Sequence, residues 1–212
     1  WMRRVNDNLL IAVADCTGHG VPGAFVSMLG MAFLNDIVAK SEITRADEAL
    51  NKLREQIKKA LHQKGTPGER KDGMDIAFCA INTKTNHLQF AGAYNPLYVI
   101  RNQNNETKLI ELKADKQPIA IYFKEKPFKN HEFDLRCGDT LYMFSDGFVD
   151  QHGGDKKRKF LKKNFKKLLL SIQNKPMQEQ KNILDQTMNQ WIGNNYKQVD
   201  DMLVLGIKIH NL

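Results

Sequence analysis

Between Met74 and Gly147 the sequence is a succession of short, mostly apolar segments: "MDIAFCAIN", "HLQFAGAY", "PLYVIR", "KLIELK", "HEFDL" and "TLYMFSDG". Turn residues such as "TKTN" and "RCGD" separate them, which is the pattern of antiparallel strands joined by tight connections. "HEFDL" and "TLYMFSDG" are expected to pair through "RCGD". Helical spacing is confined to the flanks. Ahead of the strands lies "VPGAFVSMLGMAFLNDIV", entered through Pro22 near its first turn. A second helix is predicted over about Arg45–His62, capped by Thr44, with Ala49, Leu50, Leu53, Ile57, Ala60 and Leu61 facing inward. Behind the strands lie helices over about Arg158–Gln173 and Met177–Ile192. A buried strand is expected at Leu9–Asp15 and a last apolar strand in "DDMLVLGIKI", and "KGTPGERKDG" reads as a loop. Strands and helices are segregated, so the chain is α+β with antiparallel sheets and not an alternating βαβ fold. No repeat and no linker divides it.

The 212 residues suffice for one sizeable domain, with an ordinary 42% apolar and 26% charged content. No apolar run long enough to span a bilayer is expected, and no signal peptide opens the chain. Because it starts at Trp1, it reads as a piece of a longer polypeptide. Cys16, Cys79 and Cys137 are odd in number and far apart, which argues against a disulfide frame or a zinc site and for a reducing, cytoplasmic setting. Cys16 reads as a small side chain in a tight turn, because no matching His and Asn accompany it as partners of a nucleophile. The net charge of +8 is concentrated in "KKRKFLKKNFKK", where Phe160, Leu161, Phe165, Leu168, Leu169 and Ile172 recur at helical spacing. That reads as an amphipathic helix with a lysine-rich outer face, favoured as a solvated face over a contact for an anionic surface or an acidic partner. No aromatic-and-basic motif supports a nucleic-acid partner.

Three aspartates share one context. Asp15 ends "LLIAVAD", Asp146 ends "TLYMFSD" before Gly147, and Asp200 with Asp201 opens "DDMLVLGI". An aspartate beside a glycine at a strand end is most often a turn. Three of them gathered at one sheet edge would repel, each pair by about 3 kcal/mol at about 5 Å and an effective dielectric of about 20. Hard divalent cations relieve such repulsion and prefer oxygen donors. His19 has two open readings, a donor to a phosphate or leaving group and a structural pin for the loop. Asp75 has two readings, a residue near this site and a strand-entry cap, of which the cap is favoured.

In order along the chain, "ADCTGHGVPGAF", "GMDIAFCAI", "FAGAYNPLYVIR", "LYMFSDGFVDQ" and "QVDDMLVLGI" resemble the SpoIIE-type phosphatases, a branch of the protein phosphatase 2C-like (PPM) family. The resemblance runs from about Asn8 to Ile209. It implies an αββα sandwich of two antiparallel sheets flanked by helices. It implies two Mn²⁺ or Mg²⁺ ions whose shared water attacks a phosphoserine or phosphothreonine. Asp15, Asp146 and Asp200 match the family's catalytic metal aspartates, with the Cys16 carbonyl as a backbone ligand. Gly18, His19, Gly20 and Gly147 match its loop positions. A further metal aspartate of relatives lies in a segment directly ahead of Trp1 and so falls outside these residues; Asp7 does not replace it.

The reading is a single phosphatase domain of a bacterial signalling protein, placed behind a sensor module that tethers it to the membrane or leaves it in the cytoplasm. Its implied partner is a phosphorylated regulator such as an anti-sigma-factor antagonist, and a homodimer is allowed. The helices Ala24–Val38 and Arg45–His62 are expected to couple the upstream signal to metal occupancy. The rival readings are a non-catalytic module of the same fold that binds a partner without turnover and, ranked last, a basic module that binds an anionic surface through Lys156–Lys167.

Overall fold

The structure, a computed structural model, describes residues 1–18, 20–40, 45–69, 71–103 and 106–210. In chain order the elements are β1 (Met2–Val5), β2 (Asn8–Cys16), α1 (Gly20–Lys40), α2 (Ala46–Ala60), β3 (Met74–Asn82), β4 (His87–Ala93), β5 (Leu97–Gln103), β6 (Glu106–Leu112), β7 (His131–Asp134), β8 (Thr140–Phe144), α3 (Gly147–Asp150), β9 (His152–Gly153), β10 (Arg158–Lys159), α4 (Lys162–Ile172), α5 (Met177–Ile192) and β11 (Val204–Lys208). The chain divides into two compact units, one of Trp1–Leu97 and Leu112–Leu135, the other of Tyr98–Glu111 and the residues from Arg136 onward.

The first unit is built on the antiparallel sheet β1-β2-β3-β4-β7. β2 and β3 match residue for residue, from Asn8 opposite Asn82 to Cys16 opposite Met74. The short, charged β1 was hidden in sequence because "MRRV" carries no alternation. It turns into β2 through Asn6, which takes a left-handed φ of 51°, and the Trp1 backbone nitrogen donates to the Ala12 carbonyl at 2.9 Å. α1 and α2 cover this sheet. Leu34, Ile37 and Val38 of α1 and Leu50, Leu53 and Ile57 of α2 share a core with Leu10, Ala12, Ile76 and Phe78. Ala60, expected inside, is exposed, and Leu61 is half-buried. Arg45 rather than Thr44 precedes the first turn of α2, and Thr44 lies outside the described residues.

α1 corrects the expectation about membrane spans. It is long and apolar enough to cross a bilayer by length and composition. Its buried stripe runs through Gly23, Val26, Gly30, Leu34 and Ile37, at helical spacing. Val21, Phe25, Met28 and Met31 are left exposed on another face.

The second unit holds the sheet β11-β8-β5-β6 and the two-stranded ribbon β10-β9. Its core is aromatic: Phe148 meets Phe165 at 4.9 Å and Phe160 at 5.5 Å between ring centroids, and Phe160 meets Trp191 edge-on at 5.4 Å. Two expectations fail here. "HEFDL" and "TLYMFSDG" do not pair: β7 lies beside β4, and β8 lies between β11 and β5. The "RCGD" turn carries the chain from one sheet to the other. It is held by Asp139, 1% exposed, which takes two hydrogen bonds from Arg101 at 2.9 and 2.6 Å and one from the Arg136 amide. Nor does a helix run from Arg158. Residues 158–159 form β10, Leu161 turns with a φ of 74°, and α4 starts at Lys162. The spacing misled because Phe160 and Phe165 enter the same core from different elements.

Candidate active site

In the first unit, β2 delivers Asp15 one residue before its end, directly opposite Asp75 of β3. This register brings two carboxylate residues to the same edge of the sheet. Asp75 was read from sequence as a strand cap; only the register shows it facing Asp15. Cys16 ends β2, and the Thr17 amide then bonds the Gly73 carbonyl at 2.9 Å. Burial pushes the Cys16 thiol up, a hydrogen bond from Ser27 opposes this, and the Asp15 charge adds to the rise. A thiol kept protonated is a poor nucleophile, and Cys16 closes the strand instead of lying in the turn that follows. The turn after it requires glycine. Gly18 has a φ of 91° and Gly20 of 62°, and a Cβ on Gly23 would lie 2.6 Å from the Gly18 oxygen. The loop therefore folds tightly over the first turn of α1. His19 lies outside the described residues.

In the second unit, β8 runs through the buried Ser145 to Asp146, which precedes the single turn of α3. The Ser145 hydroxyl donates to the Asp201 carbonyl at 2.8 Å and accepts from the Leu203 amide at 3.0 Å. A Cβ on Gly147 would run into the Asp201 carbonyl, with the carbonyl carbon at 2.9 Å. The "SDG" and "DD" segments thus pack backbone to backbone, which only glycine permits. Asp200 does not open the last strand, as expected, but lies in the segment before β11. The Asp146 carboxyl is raised from its ordinary value, first by partial desolvation and then by the charges of Asp150 and Asp200; Lys159 and Lys162 pull the other way. Asp146 and Asp200 therefore sit close enough to repel.

The model of Stage II sporulation protein E (SpoIIE) matches residues 6–210. The chain belongs to the SpoIIE family. Its fold is that of the PPM phosphatases. The SiaA-PP2C domain of Pseudomonas aeruginosa superposes with a TM-score of 0.85 at 28% identity, over 99% of this chain and 79% of that one. The PP2C phosphatase domain of SpoIIE from Bacillus subtilis, solved with a fragment of its regulatory domain, gives 0.72 at 18% identity, over 99% and 57%. The catalytic domain of the serine/threonine protein phosphatase PstP, solved in complex with two manganese ions, gives 0.59 at 16% identity, over 100% and 91%. No curated protein matches the sequence.

As a SpoIIE-family phosphatase domain, the chain supplies a donor set that fits hard divalent cations. Asp15 stands opposite Asp75 in register, Asp146 lies within the field of Asp200, and carboxylate oxygen is the donor that Mn²⁺ and Mg²⁺ prefer. Sequence reasoning missed three neighbours of Asp146. Asp150, Lys159 and Lys162 reach it only because the chain leaves through α3 and returns through β10.

Proposed function

We propose that this SpoIIE-family domain is a metal-dependent protein serine/threonine phosphatase of a signalling pathway. The observation that carries this is the backbone packing of Gly147 on Asp200–Asp201, which fixes Asp146 and Asp200 as neighbours in a chain of a phosphatase family. In this reading Asp15, the Cys16 carbonyl, Asp146 and Asp200 hold two Mn²⁺ or Mg²⁺ ions, and PstP with its two manganese ions is the precedent. Such ions, when bound, supply Lewis acidity toward water and a phosphoryl oxygen. The protein's own part is placement. β2 and β8 present Asp15 and Asp146 from strand ends held by their sheets, and the Ser145 hydroxyl bridges to the segment that carries Asp200. Phosphoryl transfer depends mainly on positioning and charge neutralisation, so it requires no protein nucleophile, and the protonated Cys16 thiol fits that requirement.

The substrate in this reading is a phosphorylated regulatory protein, of the kind that antagonises an anti-sigma factor. A solved neighbour that joins RsbU and RsbW domains supports that choice. The domain works in the cytoplasm under the control of a sensor module. Hydrolysis of a phosphoserine peptide in Mn²⁺ tests the proposal, beside EDTA and Asp146→Ala controls. Turnover that both controls abolish is expected. Silence of the full-length protein in Mn²⁺, with its sensor module present, would leave the partner-binding module as the reading.

A further inference from the structure

We propose that the β9–β10 ribbon and the first turn of α4 form a reader of acidic sequence beside Asp146: their lysines hold the carboxylates that flank the phosphorylated residue of a protein substrate. This rests on the phosphatase reading and adds the class of substrate.

The basic run is anchored to the site by its backbone. From Asp146 the chain passes through the single turn of α3 to Gln151, out along the ribbon, and back. The returning Phe160 and Leu161 amides donate to the Gln151 and Val149 carbonyls at 3.0 and 2.7 Å, and Lys159 pairs with Asp150 at 2.9 Å. Trp191 supports the ribbon from below. Its indole nitrogen donates to the Gln151 carbonyl at 3.1 Å, and a Cβ on Gly153 would lie 2.6 Å from its ring. The lysines are thus tethered to a fixed base that the single turn of α3 joins directly to Asp146.

The charge is also unbalanced. Residues 155–167 hold eight cations and one carboxylate, Asp155. Only Lys159 and Lys166 of the eight have ion-pair partners among the described residues, Asp150 and Glu111. Lys162 and Lys163 occupy the first turn of α4, which has no acidic residue, and no side chain caps it. Cations at a helix N-terminus oppose the helix dipole and destabilise the fold. An anion bound there reverses the sign. Stability therefore does not account for the arrangement, whereas an acidic ligand does.

A protein ligand fits better than a nucleic acid or a lipid surface. Phe160 and Phe165, the aromatic residues of the run, are 6% and 0% exposed, so no ring is offered for base stacking. Leu161 is the one exposed large apolar side chain there among the described residues, too little to enter a membrane.

Two fluorescent phosphoserine peptides, identical except for Asp/Glu or Asn/Gln flanks, test this by anisotropy with the full chain in Mn²⁺. The acidic peptide should bind about tenfold tighter at low salt, as several exposed ion pairs together allow. Lys162→Gln with Lys163→Gln, and separately Lys156→Gln with Lys157→Gln, should each shrink that ratio, whereas Lys181→Gln on α5 should not. Equal affinity for the two peptides, a ratio that both variants retain, or displacement by an oligonucleotide regardless of flank would overturn the proposal. Hydrolysis of the same peptides separates the two readings. A flank preference without turnover, when the full-length protein with its sensor module is silent as well, upholds the reader and rejects the phosphatase, and turnover without preference does the reverse.

Discussion

At the scale of single residues, the strongest constraint is steric. Gly147 touches the Asp200–Asp201 backbone so closely that any Cβ must push that segment away. Gly147→Ala should therefore lower kcat/KM on a phosphoserine peptide by about a hundredfold, the cost of a displacement of about 1 Å at an active site. Circular dichroism should stay native, which separates misplacement from unfolding. Asp146 carries the electrostatic counterpart. Burial, Asp150 and Asp200 raise its carboxyl, so the folded chain holds this proton more tightly than the unfolded chain. Ionised Asp146 thus destabilises the metal-free fold. The penalty sets in as pH rises through the ordinary carboxylate value of about 3.9 and is complete above the raised one. Asp146→Asn should melt above the wild type at pH 7 in EDTA, and the gap should close as the pH falls below about 4. The same variant should be inactive in Mn²⁺. A melting temperature below the wild type at pH 7 would show that the raised carboxyl does not matter to the fold.

At the scale of elements, α1 and α2 divide their labour differently. α2 is amphipathic, and its inner face is legible in sequence down to Leu50, Leu53 and Ile57, all fully buried. α1 is apolar on every side, so its pattern does not say which stripe goes inside. Leu50→Ala should cost about 3 kcal/mol in urea unfolding. Phe25→Ala, on the exposed face of α1, should stay within about 0.5 kcal/mol. The misread pairing of β7 and β8 belongs here too. A Gly-containing turn looks the same whether it closes a hairpin or crosses between sheets. What decided it was the buried Arg101–Asp139 pair, whose residues lie far apart in sequence.

At the scale of the whole molecule, the carboxylates should make the fold depend on metal. Mn²⁺ at about a hundred times its Kd should stabilise the protein by about 2.7 kcal/mol, which raises Tm by roughly 5–10 °C for a chain of this size. EDTA should reverse this, and Asp146→Asn should remove most of it. A Tm insensitive to Mn²⁺ would count against the metal centre.

The sequence by itself determined the α+β class, most strand positions, and the three aspartates in the order that the SpoIIE family uses. Those features are local: alternation, apolar runs and turn residues are set by the chain's own periodicity. The tertiary structure alone decided the rest. It set Asp75 opposite Asp15, because register follows from how two strands slide past each other. It started the helix late, at Lys162, and swung Lys159 and Lys162 back toward Asp146, because Phe160 is claimed by an aromatic core assembled from distant segments. Such contacts join residues that no sequence window contains together.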